Sequence, residues 1–507
     1  MPPRELPRAE IRLWGALVLV KLLLHVLTHH RYGYFRDELY LLACARRLAW
    51  GSVDHPPLLP AMVAGITRLF GDSLHVLRLP AVLAIAVVLV LALDMTRRLR
   101  GGRYAQLLVG LAILVSPAYL VESSILTINP FDVLWWTLIQ YCLVRRFSGG
   151  APGWWIVAGA ALGLGFLTKY SVSFYVVGLL AGLLLTRQRR DLLTPWPYLA
   201  AGLGLLVILP DVIWQVQHEW PTLEFLRNVA ASKNLPLSPF EFAGMQFAVM
   251  HPFVFPIAMC GLVALLLAKD ELAVAKPMGW AYIVVAVLFF VGRAKMYYLF
   301  PAYPVILAAG GVFLERKLSA ARPGLRRLSL ATLVFFGVLT LPYTVPVLPL
   351  ETFLRLDERL SFQRHIRFEK GRDRSAPIIY GDMLGWPLIA AEVQSAYQSL
   401  PDQTRPVILA GNYGIASALE KFGAASGLPA PICPHNDFYL WGPGERPWDV
   451  VLAVDVSEAK LQEVFADVQL LREVHLPHAR ESMIELHICR SPRLPVPQAW
   501  TQLKRYR

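Results

Sequence analysis

Apolar residues in this chain come in blocks of about 17 to 25, separated by short basic segments. A helix rises 1.5 Å per residue, so each block matches the ~30 Å hydrocarbon layer of a bilayer. A succession of such blocks has no use in water, and this feature commits the chain to a polytopic, α-helical membrane protein. Charged residues make up only 17% of the chain, against about 25% in soluble domains. A disordered tail, a coiled coil or a water-soluble enzyme fits poorly.

About 11 transmembrane helices are expected, at Ile11–Thr28, His75–Met95, Tyr104–Leu120, Pro130–Val144, Trp154–Leu167, Ser171–Leu185, Pro195–Ile213, Gly244–Ala268, Pro277–Val291, Tyr297–Phe313 and Leu328–Val347. The net charge of +13 would suggest nucleic acid on a soluble chain. Here the basic residues cluster in alternate short loops, around Arg97, Arg145, Arg187 and between Glu315 and Arg327. Cations resist translocation, so these loops and the N-terminus are read as cytoplasmic, and the C-terminal region as outside. The first block is read as an uncleaved span rather than a signal peptide. Of five cysteines only Cys433 and Cys489 lie clear of the spans, so at most one disulfide is expected.

Two outside loops exceed mere turns. The first, from His29 to about Leu74, contains Asp37–Trp50, with Leu41, Leu42, Ala45, Leu48 and Ala49 on one stripe and Arg46 and Arg47 opposite. That pattern predicts a helix in the membrane interface, followed by a second helix-like piece over Pro57–Phe70. The other long loop is Trp214–Glu241. A division at residues 349 and 350 is expected, with a membrane domain over 1–349 and a soluble extracytoplasmic α/β domain over 350–507. Its β-like runs are Pro377–Tyr380, Val407–Ala410 and Val450–Val454, and its helical stretches are Leu388–Leu400 and Ile415–Phe422.

Chemistry-bearing residues gather at the outside ends of the spans. Asp37 and Glu38 open the first-loop helix; neighbours on a helix diverge by about 100°, so one can face a cavity while the other pairs with a cation. Helix capping plus a surface ion pair is the competing reading. Asp54-His55-Pro56-Pro57 presents an acid and an imidazole ahead of two stiffening prolines, or simply breaks two helices. Glu122, Asn129 and Asp132 lie at a span edge, where lipid exposure is costly; Asn129 can equally cap a helix. Lys169, Arg293 and Lys295 stand at outside corners, suited to a phosphate or to snorkelling. Dependence on a divalent cation is left open, with Asp37, Glu38, Asp132 and His55 as donors. The chain carries no P-loop, Rossmann fingerprint, HExxH or GxSxG, and so no sign of a nucleotide-activated donor.

Arg36-Asp37-Glu38, Asp54-His55-Pro56-Pro57, Leu162–Tyr170 and the Lys295–Pro304 stretch (Lys-x-Tyr-Tyr-Leu-x-Pro-x-Tyr-Pro) resemble the bacterial branch of glycosyltransferase family 39, which includes the aminoarabinose transferases of lipid A and protein O-mannosyltransferases. Rhizobial galacturonosyltransferases are similar. Gly411-Asn412-Tyr413-Gly414 and His435–Gly442 resemble the tail of close bacterial relatives. The resemblance implies a GT-C fold, a bacterial inner-membrane location, and inverting transfer from a lipid-linked sugar donor such as a polyprenyl (undecaprenyl) phosphate sugar to a cell-envelope glycan, lipid or protein acceptor. It implies Asp37 as catalytic base with Glu38 supporting, Asp54, His55, Glu122, Asn129 and Asp132 toward sugar or acceptor, and Lys169, Arg293, Lys295, Tyr297 and Tyr298 toward the donor phosphate. Asn129 departs from the Asp-Pro of the aminoarabinose transferases. The rival class is a membrane transporter or lipid flippase, which intramembrane charges also suit.

Overall fold

The computed structural model describes residues 7–232, 237–318, 322–360, 378–401 and 406–507. Pro377, at the start of one expected β run, lies outside them, as do parts of the 214–241 and 315–327 loops. All eleven apolar blocks are helical. In chain order the helices are α1 (Arg8–Val26), α2 (Arg36–Ala45), α3 (Leu58–Phe70), α4 (Leu74–Arg98), α5 (Arg103–Val115), α6 (Pro117–Ser124), α7 (Asn129–Phe147), α8 (Trp154–Phe166), α9 (Val172–Leu184), α10 (Trp196–Gln217), α11 (Pro221–Ser232), α12 (Pro239–Met250), α13 (Val254–Leu267), α14 (Lys276–Val291), α15 (Tyr303–Lys317) and α16 (Pro323–Thr340).

By length and composition, five helices among the described residues qualify as spans, or seven if each bent pair counts as one. Two expected spans are those bent pairs: α5 and α6 meet at 56°, α12 and α13 at 114°. Proline explains the first break, since Pro117 cannot donate to the helix before it. At the second, His251 takes φ 89° ahead of Pro252. α1 and α7 fall short because of the polar residues they carry, and α8 and α9 are short.

Helices in lipid gain little from apolar burial against one another, so small residues bring their backbones close. A Cβ on Gly261 of α13 would sit 2.0 Å from the carbonyl of Ile306 in α15, and one on Gly182 of α9 would sit 2.1 Å from that of Pro277 in α14. Gly159 of α8 lies as tightly against Ala200 of α10, at 2.3 Å.

α2 differs from the expected interface helix. It ends at Ala45, and Leu48 and Trp50 beyond it are exposed. Leu41 and Leu42 pack with α3 and α4, while Leu39, Tyr40, Ala43 and Cys44 join the core of the C-terminal region. With both faces apolar, α2 is clamped between the membrane helices and the C-terminal chain rather than floating at the lipid surface.

In the C-terminal region four strands, β1 (Val407–Ala410), β2 (Val450–Val454), β3 (Phe465–His475) and β4 (Met483–Pro492), form a sheet in the order β1-β2-β4-β3. β1 and β2 are parallel, and the other pairs are antiparallel. The expected strand over 377–380 is instead a helical turn, Ile378–Gly381. Apolar residues over so short a run do not distinguish strand from helix. All five cysteines are free.

Candidate active site

The N-terminus of α2 carries both candidate carboxylates, and they diverge as the helix dictates. Glu38 is buried and accepts four hydrogen bonds: from Arg78 Nε at 2.7 Å and Nη2 at 2.9 Å, and from the backbone N–H groups of Phe35 at 2.7 Å and Leu126 at 2.9 Å. Arg78, also buried, donates further to the carbonyls of His29 and Gly33, each at 2.7 Å. This knot joins α2 to α4 and to the end of α6. Asp37 turns the other way, its side chain 38% exposed. Its Oδ1 accepts from the Tyr413 hydroxyl at 3.0 Å and lies 3.5 Å from Arg36 Nε. The Arg36 guanidinium stacks over the Tyr413 ring at 5.0 Å, a contact that Gly414 permits because a Cβ there would strike the arginine side chain. Asn412 starts the Tyr413–Ala418 helix by accepting the Ile415 N–H.

The Asp54-His55 segment meets the same C-terminal chain. Asp54 accepts from Tyr40 Oη at 3.1 Å and from Asn436 Nδ2 at 2.7 Å. Burial lifts its pKa to about 6, the neighbouring His55 opposing the rise and Asp437 adding to it. Asp437 accepts from Ser52 Oγ at 2.6 Å and from the Val53 N–H at 2.7 Å, and Cys44 Sγ lies 3.6 Å from its Oδ2. His55 Nδ1 lies 3.3 Å from the Pro56 carbonyl, while its Nε2 is buried, 3.9 Å from Asp54 Oδ1, and makes no hydrogen bond. Among the described residues one group of three or more metal-type donors lies close together: Cys44, His55 and Asp437. The donor set expected from sequence, Asp37, Glu38, Asp132 and His55, does not converge.

A second polar cluster forms where α6, α7, the α8–α9 turn and the 3₁₀ turn Met296–Ala302 meet. Lys169 Nζ donates to Asn129 Oδ1 at 2.9 Å, lies 3.4 Å from Asp132 Oδ2, and sits over the Tyr298 ring at 4.1 Å and the Tyr297 ring at 5.4 Å. Lys295 approaches the same Tyr297 ring at 5.9 Å. Asp132 also accepts from Ser171, and Glu122, buried, lies within electrostatic reach of Lys169 and Asp132. Arg293, at φ 50°, is exposed on the preceding turn. The two clusters are tied together. Gln215 Nε2 reaches the Ser52 carbonyl at 3.0 Å and the Tyr170 hydroxyl at 3.3 Å, and the Leu58 N–H bonds the Leu167 carbonyl.

Residues 54–214 match the family model described as dolichyl-phosphate-mannose-protein mannosyltransferase. The chain superposes on ArnT from Cupriavidus metallidurans bound to undecaprenyl phosphate, with TM-score 0.58 at 19% identity, covering 95% of this chain and 98% of that one. The apo form of the same protein gives TM-score 0.60 at 17% identity. The fold is GT-C. The sequence is 27% identical over 229 residues to the lipid A galacturonosyltransferase RgtD of Rhizobium johnstonii, covering 44% of this chain and 47% of that protein. It is 31% identical over 157 residues to the undecaprenyl phosphate-alpha-4-amino-4-deoxy-L-arabinose arabinosyl transferase of Edwardsiella ictaluri, covering 30% of this chain and 28% of that protein. The matches therefore span about half or less of these curated relatives, and the resemblance to glycosyltransferase family 39 read from the motifs stands.

Sequence reasoning named the carboxylates but not their partners. Arg78, Cys44, Asp437 and Tyr413 were missed as site residues. Tyr413 and Asp437 lay inside the two recognised tail motifs, which was the signal available. Nothing in the pattern of α4 marks Arg78 as anything but a charge near a span end.

Proposed function

We propose that this protein is an integral inner-membrane glycosyltransferase that moves a hexose or pentose from a polyprenyl-phosphate donor to a cell-envelope acceptor, with inversion. In this reading the N-terminus is cytoplasmic and the C-terminal region, residues 350–507, is a periplasmic α/β domain. The carrying observation is the division of labour at the start of α2, where Glu38 is locked into Arg78 while Asp37 is presented half-exposed to the Tyr413 hydroxyl.

Asp37 is the base. Its carboxylate accepts the proton of the acceptor hydroxyl as that oxygen attacks the anomeric carbon from the face opposite the carrier. The bond between the anomeric carbon and the phosphate oxygen breaks, and polyprenyl phosphate leaves as an anion that needs no protonation. The charge developing on it is met by Lys295, Arg293 and Lys169, with the Tyr297 and Tyr298 hydroxyls as further donors. Within this group Lys169 is also held by Asp132 and Asn129, which fix its ammonium in place. Glu38 is a positioning residue that sets the angle of α2. Asp54, His55, Glu122, Asn129 and Asp132 shape the sugar and acceptor side.

The test is turnover in proteoliposomes supplied with lipid-linked sugars, read as released polyprenyl phosphate. Asp37→Asn should abolish release while leaving expression and monodispersity intact; release at the wild-type rate removes Asp37 from the mechanism. Lys295→Ala should weaken donor binding, and unchanged donor affinity counts against its phosphate role. A transporter or flippase would move labelled lipid across the vesicle without releasing polyprenyl phosphate.

A further inference from the structure

We propose that Cys44, His55 and Asp437 form a binding site for a divalent transition-metal ion, zinc by donor type, that staples the first extramembrane loop to the C-terminal region. The three side chains come from α2, the Asp-His-Pro-Pro segment and the tail, and all three are buried. One donor atom from each lies within 4.8 Å of the others. Around tetrahedral zinc, with Zn–S of about 2.3 Å and Zn–N of about 2.0 Å, donor atoms stand about 3.3 to 3.6 Å apart. Cys44 Sγ and Asp437 Oδ2 are already at 3.6 Å, so the remaining contraction is small and falls on the imidazole.

The decisive observation is independent of that spacing. His55 is 6% exposed, and its Nε2 makes no hydrogen bond, the nearest carboxylate oxygen being Asp54 Oδ1 at 3.9 Å. A buried imidazole nitrogen with no hydrogen bond is costly, the Asp54 contact is too long to be one, and a metal ion removes that cost. The Nδ1 contact to the Pro56 carbonyl, at 3.3 Å, orients the ring as a hydrogen bond on the far nitrogen does for metal-bound histidines. Ser52 Oγ and the Val53 N–H hold the Asp437 carboxylate from outside, at 2.6 and 2.7 Å. They serve as the outer layer that fixes a ligating carboxylate.

Cys44, His55 and Asp437 line one cavity of about 170 Å³, together with Ser52, Trp214 and His218. Three protein donors beside open space leave a fourth position for water. Arg47 also lines this cavity, but its charge is met by Glu420 at 2.6 and 3.1 Å. Asp54, which accepts from Tyr40 and Asn436, adds a nearby carboxylate. Binding replaces the thiol proton of Cys44, released to solvent, with a metal–sulfur bond, and no redox step is involved. The mixed thiolate, imidazole and carboxylate set suits zinc or cobalt(II) and excludes magnesium and calcium, which take oxygen donors.

The test uses the full-length protein in detergent, stripped with chelator and titrated with cobalt(II) or zinc(II) alone. Wild type should take up about one ion per chain and, with cobalt, show the near-ultraviolet charge-transfer absorption of a metal thiolate. Both signals should vanish in Cys44→Ala and weaken in His55→Gln. Zinc should raise the thermal midpoint of the wild type and leave that of Cys44→Ala unmoved, a readout separate from glycosyl transfer. Uptake that persists unchanged in Cys44→Ala, a cobalt spectrum without thiolate character, or stoichiometric binding of magnesium in place of zinc overturns the assignment. Because metal uptake is read directly, loss of this site and failure of the glycosyltransferase reading give different results.

Discussion

The Glu38–Arg78 knot allows a quantitative test of which first-loop carboxylate is structural. Both side chains are wholly buried, with Arg78 Nε 2.7 Å from Glu38 Oε1. Removing one partner of a buried ion pair costs about 3–5 kcal/mol, because the other charge is left unpaired. In Glu38→Leu, Arg78 keeps the His29 and Gly33 carbonyls, which limits the loss. Against that, the Phe35 and Leu126 N–H groups lose their acceptor, each worth about 1–3 kcal/mol when buried. These terms overlap, and the net expectation is the upper part of the 3–5 range. Glu38→Gln should fare little better, since its amide would turn N–H groups toward a site that supplies only donors. The double variant Glu38→Leu/Arg78→Met removes the stranded charge. It should be more stable than Glu38→Leu by roughly 2 kcal/mol, because the uncompensated buried charge makes up much of the single variant's cost. The assay is reversible unfolding in mixed detergent micelles titrated with SDS, followed by tryptophan fluorescence. A Glu38→Leu protein within about 1 kcal/mol of wild type, or a double variant no more stable than the single, would refute the argument.

Further outcomes follow from the same geometry. Tyr413→Phe removes the hydroxyl that bonds Asp37 and should lower turnover by about 10-fold or more, the worth of a hydrogen bond to a charged group, with little change in thermal midpoint; equal turnover would disconnect the C-terminal chain from the reaction. Arg47→Ala leaves Glu420, whose side chain is 6% exposed, with only the longer Arg46 contact, and loses the stacking of Arg47 on Trp441 at 4.4 Å. It should expose the C-terminal region to protease, while Arg46→Ala, 3.7 Å from the same carboxylate and half-exposed, should not. Gly261→Ala forces a Cβ into the Ile306 carbonyl and should destabilise by about 1–3 kcal/mol or more, whereas Gly65→Ala, with nothing within 4 Å, should be silent in the same melting assay.

Helix positions were legible because a bilayer imposes one length scale, and every apolar block found its helix. The breaks were not. Pro117 and Pro252 lie inside blocks whose hydropathy is continuous, and hydropathy carries no bend angle. Asp37 stood out from its adjacency to Glu38 at a helix start, but adjacency could not say which carboxylate would be buried. That choice depends on Arg78, which stands 40 positions further along the chain.

The sequence by itself determined that the chain enters a membrane in many helices, resembles glycosyltransferase family 39 through motifs at the ends of those helices, and ends in a region of mixed strand and helix. Those conclusions rest on periodicity, block length and short motifs, which are local along the chain. Only the tertiary structure decided that Tyr413 and Asp437 reach back to the first loop, that Lys169 is balanced by Asp132, and that Cys44, His55 and Asp437 meet. Such partnerships join residues that are tens to hundreds of positions apart along the chain. Their energies depend on burial and distance, which no local pattern records.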